Sequence, residues 1–130
     1  MSIRITALDH VVLNVSNAEI SAVWYQQVLG MKRKEFEPAH GRDKRISLSF
    51  GSQKVNLRSI SKDGQDGVVV ADDLCFLTET TPQQVVTHLK KCGVFVEEGP
   101  AKKHGAIGIL DSVYCRDPDG RLIEISAYED

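Results

Sequence analysis

Four polar residues of this 130-residue chain occupy two pairs of matching positions, and their side chains could carry chemistry. His10 is the only histidine in the first predicted strand, and Asp73 lies 63 residues later, at the matching place in the fifth strand. Arg58 and Glu124 also match if the second half of the chain contains a slightly longer loop. Imidazole and carboxylate groups accept protons, whereas a guanidinium is permanently charged and donates hydrogen bonds to anions.

A repeated order of elements positions these residues. Strand, helix and three strands are predicted at 5–15, 17–30, 31–37, 44–50 and 53–60, and again at 71–79, 81–93, 94–98, 109–117 and 121–128. The two helices end at Gly30 and Gly93, which are also 63 residues apart. We therefore predict one domain over 1–130, with module 1 at about 5–60, a linker at about 61–70 and module 2 at about 71–128.

Strand alternation predicts which side chains share a face. In the fourth strand, Val55 and Leu57 alternate with Asn56 and Arg58. The apolar faces are expected to pack beneath the two helices, and the other faces to curve around a cleft lined by His10 and its three counterparts. The first helix is predicted to carry one apolar side, formed by Ile20, Val23, Trp24 and Val28. These features predict an α+β fold with a mixed sheet.

Composition excludes several classes of function. Hydrophobic residues form 42% of the chain and charged residues 26%, which is ordinary for a globular domain. The net charge is −2 and no long block has one sign, so nucleic acids and anionic membranes are not expected as partners. No leader and no long apolar segment is evident, so a cytoplasmic location is expected. The three cysteines are predicted to be free thiols, and phosphate-binding, dinucleotide and serine-hydrolase motifs are missing.

Several segments together resemble the vicinal oxygen chelate superfamily, which contains glyoxalases, bleomycin resistance proteins and extradiol dioxygenases. They are LDHVVLNV at the start, VLGM at the end of the first helix, FGSQKVNL, and YCRDPDGRLIE near the end. The likeness is strongest to small single-domain, lactoylglutathione lyase-like proteins. It implies two tandem βαβββ modules whose curved sheet encloses a divalent metal, and a homodimer.

Carried onto this chain, the resemblance assigns metal positions to His10, Arg58, Asp73 and Glu124. Arg58 departs from the pattern, because a guanidinium has no lone pair to donate to a metal. Either Arg58 binds an anionic group of the substrate beside a metal held by the other three residues, or it neutralises the two acids in a site without metal. Mn²⁺, Ni²⁺, Fe²⁺ and Zn²⁺ are the candidate ions.

The leading hypothesis is a metal-dependent lyase or isomerase acting on a small carbonyl substrate with two vicinal oxygens, as in lactoylglutathione lyase, a carbon–sulfur lyase. Glu124 would be the general base or a mobile ligand, with Asn56 and Arg58 binding substrate. His104, in a predicted flexible loop at 99–108, is a further candidate substrate-binding residue. The alternatives are a relative of the ring-cleaving dioxygenases and a metal-free binding or resistance protein.

Overall fold

A computed structural model of the chain describes residues 3–4, 6–36, 45–60 and 73–129. The first half contains one helix and four strands: β1 (His10–Val15), α1 (Ala18–Leu29), β2 (Lys32–Phe36), β3 (Arg45–Phe50) and β4 (Gln53–Ser59). The second half repeats this order as β5 (Asp73–Leu77), α2 (Pro82–Lys91), β6 (Glu98–His104), β7 (Ile109–Arg116) and β8 (Leu122–Tyr128). The predicted tandem βαβββ order is therefore confirmed.

The chain divides into two compact units, Met1–Val69 and Val70–Asp130. Each unit contains a four-stranded mixed sheet, with strand order β1-β4-β3-β2 in the first and β5-β8-β7-β6 in the second. The first strand of each unit runs parallel to the last, and the other neighbours are antiparallel. The predicted linker at 61–70 lies outside the described residues. Neither described helix is long and apolar enough to cross a membrane.

Local signals explain where the helices begin and end. The Asn17 side chain accepts hydrogen bonds from two backbone N–H groups in the first turn of α1. The Thr81 side chain, just before Pro82, accepts one such bond from the backbone N–H group of Gln84 in α2. Gly30 and Gly93 adopt positive φ values of 68° and 73°, a conformation that other residues rarely adopt. The two helix-ending glycines of the sequence repeat are thus confirmed.

The buried side of α1 differs from the predicted one. Ile20 and Val23 are 59% and 43% exposed, whereas the buried residues of the helix are Ser21, Ala22, Tyr25 and Val28. Small side chains at two of these positions let the helix lie close to the sheet, and Tyr25 fills the remaining space. Helical spacing alone could not choose between two partly apolar sides of the same helix.

The predicted loop at 99–108 is wrong over most of its length, because β6 covers Glu98–His104 rather than 94–98. This strand lies at the edge of its sheet, where a proline without an N–H group is tolerated. A register shift between Glu98 and Ala101 accommodates Gly99 and Pro100. Gly99 has a φ of 110°, and a Cβ atom there would clash with the backbone oxygen of Ser112. Glycine and proline thus interrupt the strand pattern in the sequence without ending the strand.

The turn between β7 and β8 is held by a buried ion pair. Asp117 Oδ1 accepts hydrogen bonds from the backbone N–H groups of Asp119 and Arg121, at 3.0 and 2.9 Å. Its Oδ2 atom accepts a 2.6 Å hydrogen bond from the guanidinium of Arg121. The exposed fractions of the two side chains are only 0% and 2%. One carboxylate therefore organises both the turn and a buried cation.

Candidate functional site

Strand register corrects one match between the two halves. His10 and Asp73 each begin the first strand of their unit, and the third residue of that strand faces Asn56 in the first unit and Glu124 in the second. Asn56, and not Arg58, is thus the structural counterpart of Glu124. The earlier match relied on an assumed loop insertion, whereas the paired strands define the equivalence directly.

The polar face of the first sheet holds three of the predicted site residues. His10 is partly exposed, and its Nδ1 atom lies 2.7 Å from Oδ2 of Asp9. Arg58 is exposed and donates a hydrogen bond from Nε to Oδ1 of Asn14, at 2.9 Å. Asn56 is only 7% exposed, and its Oδ1 atom has no hydrogen-bond partner among the described residues. A buried carbonyl oxygen without a partner is costly, so Asn56 is ready to accept a donor or bind a cation.

The polar face of the second sheet holds Glu124 in a hydrogen-bonded network. Ser112 Oγ lies 3.0 Å from Oε2 of Glu124 and 2.7 Å from Oγ of Ser126, which in turn is 3.5 Å from Sγ of Cys75. Burial, the charge of Glu124 and hydrogen bonding with it raise the pKa of Tyr114 to about 12. Burial also raises the pKa of the Cys75 thiol. The carboxylate of Glu124 is therefore oriented by neutral hydroxyl groups.

Sequence reasoning missed Ser112 and Tyr114. Both lie on β7 and pair with Ser126 and Glu124 on β8. The available signal was alternation, since Val113 is buried on the opposite face of the same strand. Serine and tyrosine are common in strands, however, so their types did not mark them as part of a site.

The remaining predicted residues of the second unit are Asp73, which alternation places on the same face of β5 as Cys75, and His104. Asp73 is exposed at the start of β5. The pKa of the Arg116 guanidinium is raised, chiefly by its hydrogen bond with Glu97 and further by the negative charges of Glu97 and Asp73. His104 is exposed at the end of β6, where alternation turns it to the face opposite that of Lys103. Lys103 stacks on the ring of Tyr114, so His104 does not share the face of Glu124.

The types of the candidate residues indicate which metal they could bind. No three His, Cys, Asp or Glu side chains lie together as a metal-binding group in the part of the chain that the structure describes. Asn56 is not one of these residue types, yet it occupies the counterpart position of Glu124, and its buried Oδ1 atom has no partner among the described residues. By type, the candidate donors are one imidazole nitrogen, one amide oxygen and two carboxylates. These donors fit a hard or borderline divalent ion.

The raised pKa of Tyr114 makes an alkaline titration a test of the network. We expect the difference in tyrosinate absorbance between the wild type and Tyr114→Phe to titrate near pH 12, rather than near pH 10 as for an unperturbed tyrosine. Because the folded protein then keeps a proton that the unfolded chain loses, the free energy of unfolding should fall as the pH rises from about 10 to about 12. Tyr114→Phe should reduce that fall, and a difference titration near pH 10 would contradict the described contact.

Comparison with known proteins agrees with this architecture. Residues 7–125 match the family model of the Glyoxalase/Bleomycin resistance protein/Dioxygenase superfamily. The chain belongs to this superfamily. Virulence protein STM3117 of Salmonella typhimurium is 38% identical over 128 residues, which cover 95% of this chain and 85% of the relative. The glyoxalase domain-containing protein RDO1 of Mycosarcoma maydis is 36% identical over 132 residues, which cover 98% of this chain and 72% of the relative.

A solved structure has the same fold as this chain. Integron cassette protein VCH_CASS1 from the mobile metagenome of V. cholerae is 40% identical to this chain. The superposition has a TM-score of 0.88 and covers 99% of this chain and 100% of the cassette protein. The expected family resemblance is thus confirmed over nearly the whole length.

Proposed function

We propose that this superfamily member is a glyoxalase-like, divalent-metal-dependent lyase or isomerase. Its substrate is a small carbonyl compound with two vicinal oxygens. The observation that carries the proposal is the buried Oδ1 atom of Asn56, which lacks a partner among the described residues and occupies the counterpart position of Glu124. Superfamily membership and the oriented carboxylate of Glu124 support the same conclusion.

His10, Asn56, Asp73 and Glu124 would hold the metal. Oxygen donors dominate this set, which favours Mn²⁺ or Fe²⁺ over Zn²⁺ and leaves Ni²⁺ as a further candidate. When bound, the ion supplies Lewis-acid polarisation of the substrate carbonyl. With Asn56 assigned to the fourth ligand position, no guanidinium has to bind the metal. Arg58 can then bind a negative charge of the substrate.

Glu124 takes the proton from the carbon next to the carbonyl group. Its Oε2 atom accepts the hydrogen bond of Ser112, and that serine is fixed in turn by Ser126. Tyr114 keeps its proton to well above neutral pH and so acts as a hydrogen-bond donor toward the carboxylate. These contacts hold one orientation of Glu124, which lowers the reorganisation needed for proton transfer.

Metal titration of the full chain tests the proposed donor set. We expect one Mn²⁺ per chain by calorimetry and electron paramagnetic resonance. Asn56→Asp should tighten binding about tenfold or more, because it adds a negative charge to the donor set. His10→Ala should weaken binding by a similar factor, whereas His88→Ala, which removes a histidine of α2, should leave it unchanged.

Two results would overturn this assignment. If a carboxylate substituted at Arg58 tightens Mn²⁺ binding and Asn56→Asp does not, the fourth ligand position belongs to residue 58. A wild-type protein that retains no Mn²⁺, Ni²⁺, Fe²⁺ or Zn²⁺ would instead favour the metal-free binding protein. A dimer in solution is part of the proposal, and a gel-filtration mass near the 14.4 kDa of one chain would contradict it.

A further inference from the structure

The polar face of the first sheet is strongly basic although the whole chain has a net charge of −2. Lys32 and Lys34 of β2 are paired with Ser49 and Ser47 of β3. On the next strand, β4, the same two serines are paired with Lys54 and Asn56. Directly paired residues of neighbouring strands point to the same side of a sheet. By the same rule, Arg45 and Arg58 belong to this face. We call this set the basic face: Lys32, Lys34, Arg45, Lys54 and Arg58.

Acidic side chains do not balance the basic face within the described residues. Glu35, the acid of β2, points to the other side of the sheet with Arg33, which forms an ion pair with Glu19 of α1. Asp9 contacts His10, which is paired with Lys54, but none of the five cations forms a salt bridge with a described carboxylate. Lys54 instead lies 4.7 Å from the centre of the Phe36 ring. Five positive charges held on one rigid sheet repel each other, and a bound anion would relieve that repulsion.

The dimensions of the basic face indicate the size of its ligand. Its cations span three strands, about 10 Å across, and up to four residues along a strand, about 13 Å. Two or three anionic groups of one small molecule fit within this area. A nucleic-acid duplex would need a longer basic track to follow its phosphates.

A polar, buried group lies within the basic face. Asn56 is paired between strands with Ser47, and its Oδ1 atom, which has no partner among the described residues, is available to the metal of the proposed function. The face therefore combines charges for anionic groups with a candidate metal ligand. Lys32, Lys34 and Arg58 are exposed, so these charges are accessible on the described unit.

We infer that the basic face recognises a small, multiply anionic oxygenated molecule, with phosphoryl or carboxylate groups, and that the substrate of the protein belongs to this class. The inference rests on the proposed function for the identity of the reaction, but not for binding itself. The anionic groups of this molecule contact the five cations of the basic face. A monoanion engages too few of these charges to bind well.

Calorimetry on the full chain in metal-free buffer tests this inference with pyrophosphate, citrate and acetate as probes. We expect pyrophosphate or citrate to bind at least tenfold more tightly than acetate, and the preferred probe identifies phosphoryl or carboxylate groups. Lys32→Gln with Lys34→Gln should weaken that binding at least tenfold. Lys90→Gln with Lys91→Gln is the matched control, since it removes two exposed lysines from α2 and should change the affinity less than twofold.

Equal weakening by both double variants would overturn the inference, because the effect would then depend on net charge alone. Tighter binding of a short duplex oligonucleotide than of either small anion would overturn it in favour of a nucleic-acid surface. Thermal unfolding of each variant verifies the fold. Failure of the proposed function gives a different result. If the chain binds no metal but still prefers polyanions through Lys32 and Lys34, the proposed function is wrong and the present inference holds.

Discussion

Replacement of Glu124 by glutamine is expected to lower the turnover of a carbonyl substrate by about 10²–10⁴-fold, the usual contribution of a general base. Glutamine keeps the size of the side chain and an oxygen that can accept the hydrogen bond of Ser112, but it cannot take a proton. The substrate should still bind, so the loss should appear in kcat. Exchange of the substrate's carbon-bound hydrogen with deuterated water, followed by NMR, measures the proton transfer directly.

Two further variants separate a catalytic role of Glu124 from a structural one. Glu79→Gln removes an exposed carboxylate from the same unit and should leave the exchange rate unchanged. Ser112→Ala should reduce exchange less than Glu124→Gln does, because it removes one hydrogen bond that orients the carboxylate and keeps the carboxylate itself. Exchange at the wild-type rate in Glu124→Gln, with metal still bound, would remove Glu124 from the proposed chemistry.

Replacement of Arg121 by methionine is expected to lower the free energy of unfolding by about 3–5 kcal/mol, the cost of leaving one member of a buried ion pair alone. Arg121 and Asp117 are almost fully buried, and their 2.6 Å contact lies in the turn between β7 and β8. Methionine preserves much of the side-chain volume, so the loss comes from the unpaired carboxylate. Urea unfolding monitored by circular dichroism gives the value.

A second ion pair serves as the control for this loss. Arg33 and Glu19 also form a short contact, but the Glu19 side chain is 64% exposed. Glu19→Gln should therefore change stability much less than Arg121→Met does. Asp117→Ala should cost at least as much as Arg121→Met, because Asp117 also accepts two backbone hydrogen bonds of the turn. Similar small losses in all variants would show that burial of the Asp117 pair contributes little.

The polar faces of the two sheets could be predicted from the sequence, but the residue of the first sheet that matches Glu124 could not. Alternation along β4 and β8 placed Asn56, Arg58 and Glu124 on polar faces, and the structure bears out this alternation around the buried Val55, Leu57 and Ile123. The choice between Asn56 and Arg58 as the counterpart of Glu124 needed the pairing of β1 with β4 and of β5 with β8. A shift of two residues preserves alternation, so alternation cannot detect it.

The roles of side chains depended still more on their surroundings. Glu124 was predicted from its type and place, but the hydroxyl groups that orient it come from another strand, twelve and ten residues earlier in the chain. His104 was expected in a loop, and β6 instead continues through Gly99 and Pro100 because an edge strand tolerates them. Such outcomes depend on which strands become neighbours.

The sequence by itself determined the order of elements and the duplication of the chain, because helix caps, glycine positions and alternation act within a few residues of one another. Tertiary structure decided the strand register, the buried side of α1, the burial of Asn56 and the placement of five cations on one face. These features arise from contacts between distant segments. Packing of helix on sheet selects the buried sides and fixes the register, and neither is encoded by neighbouring residues alone.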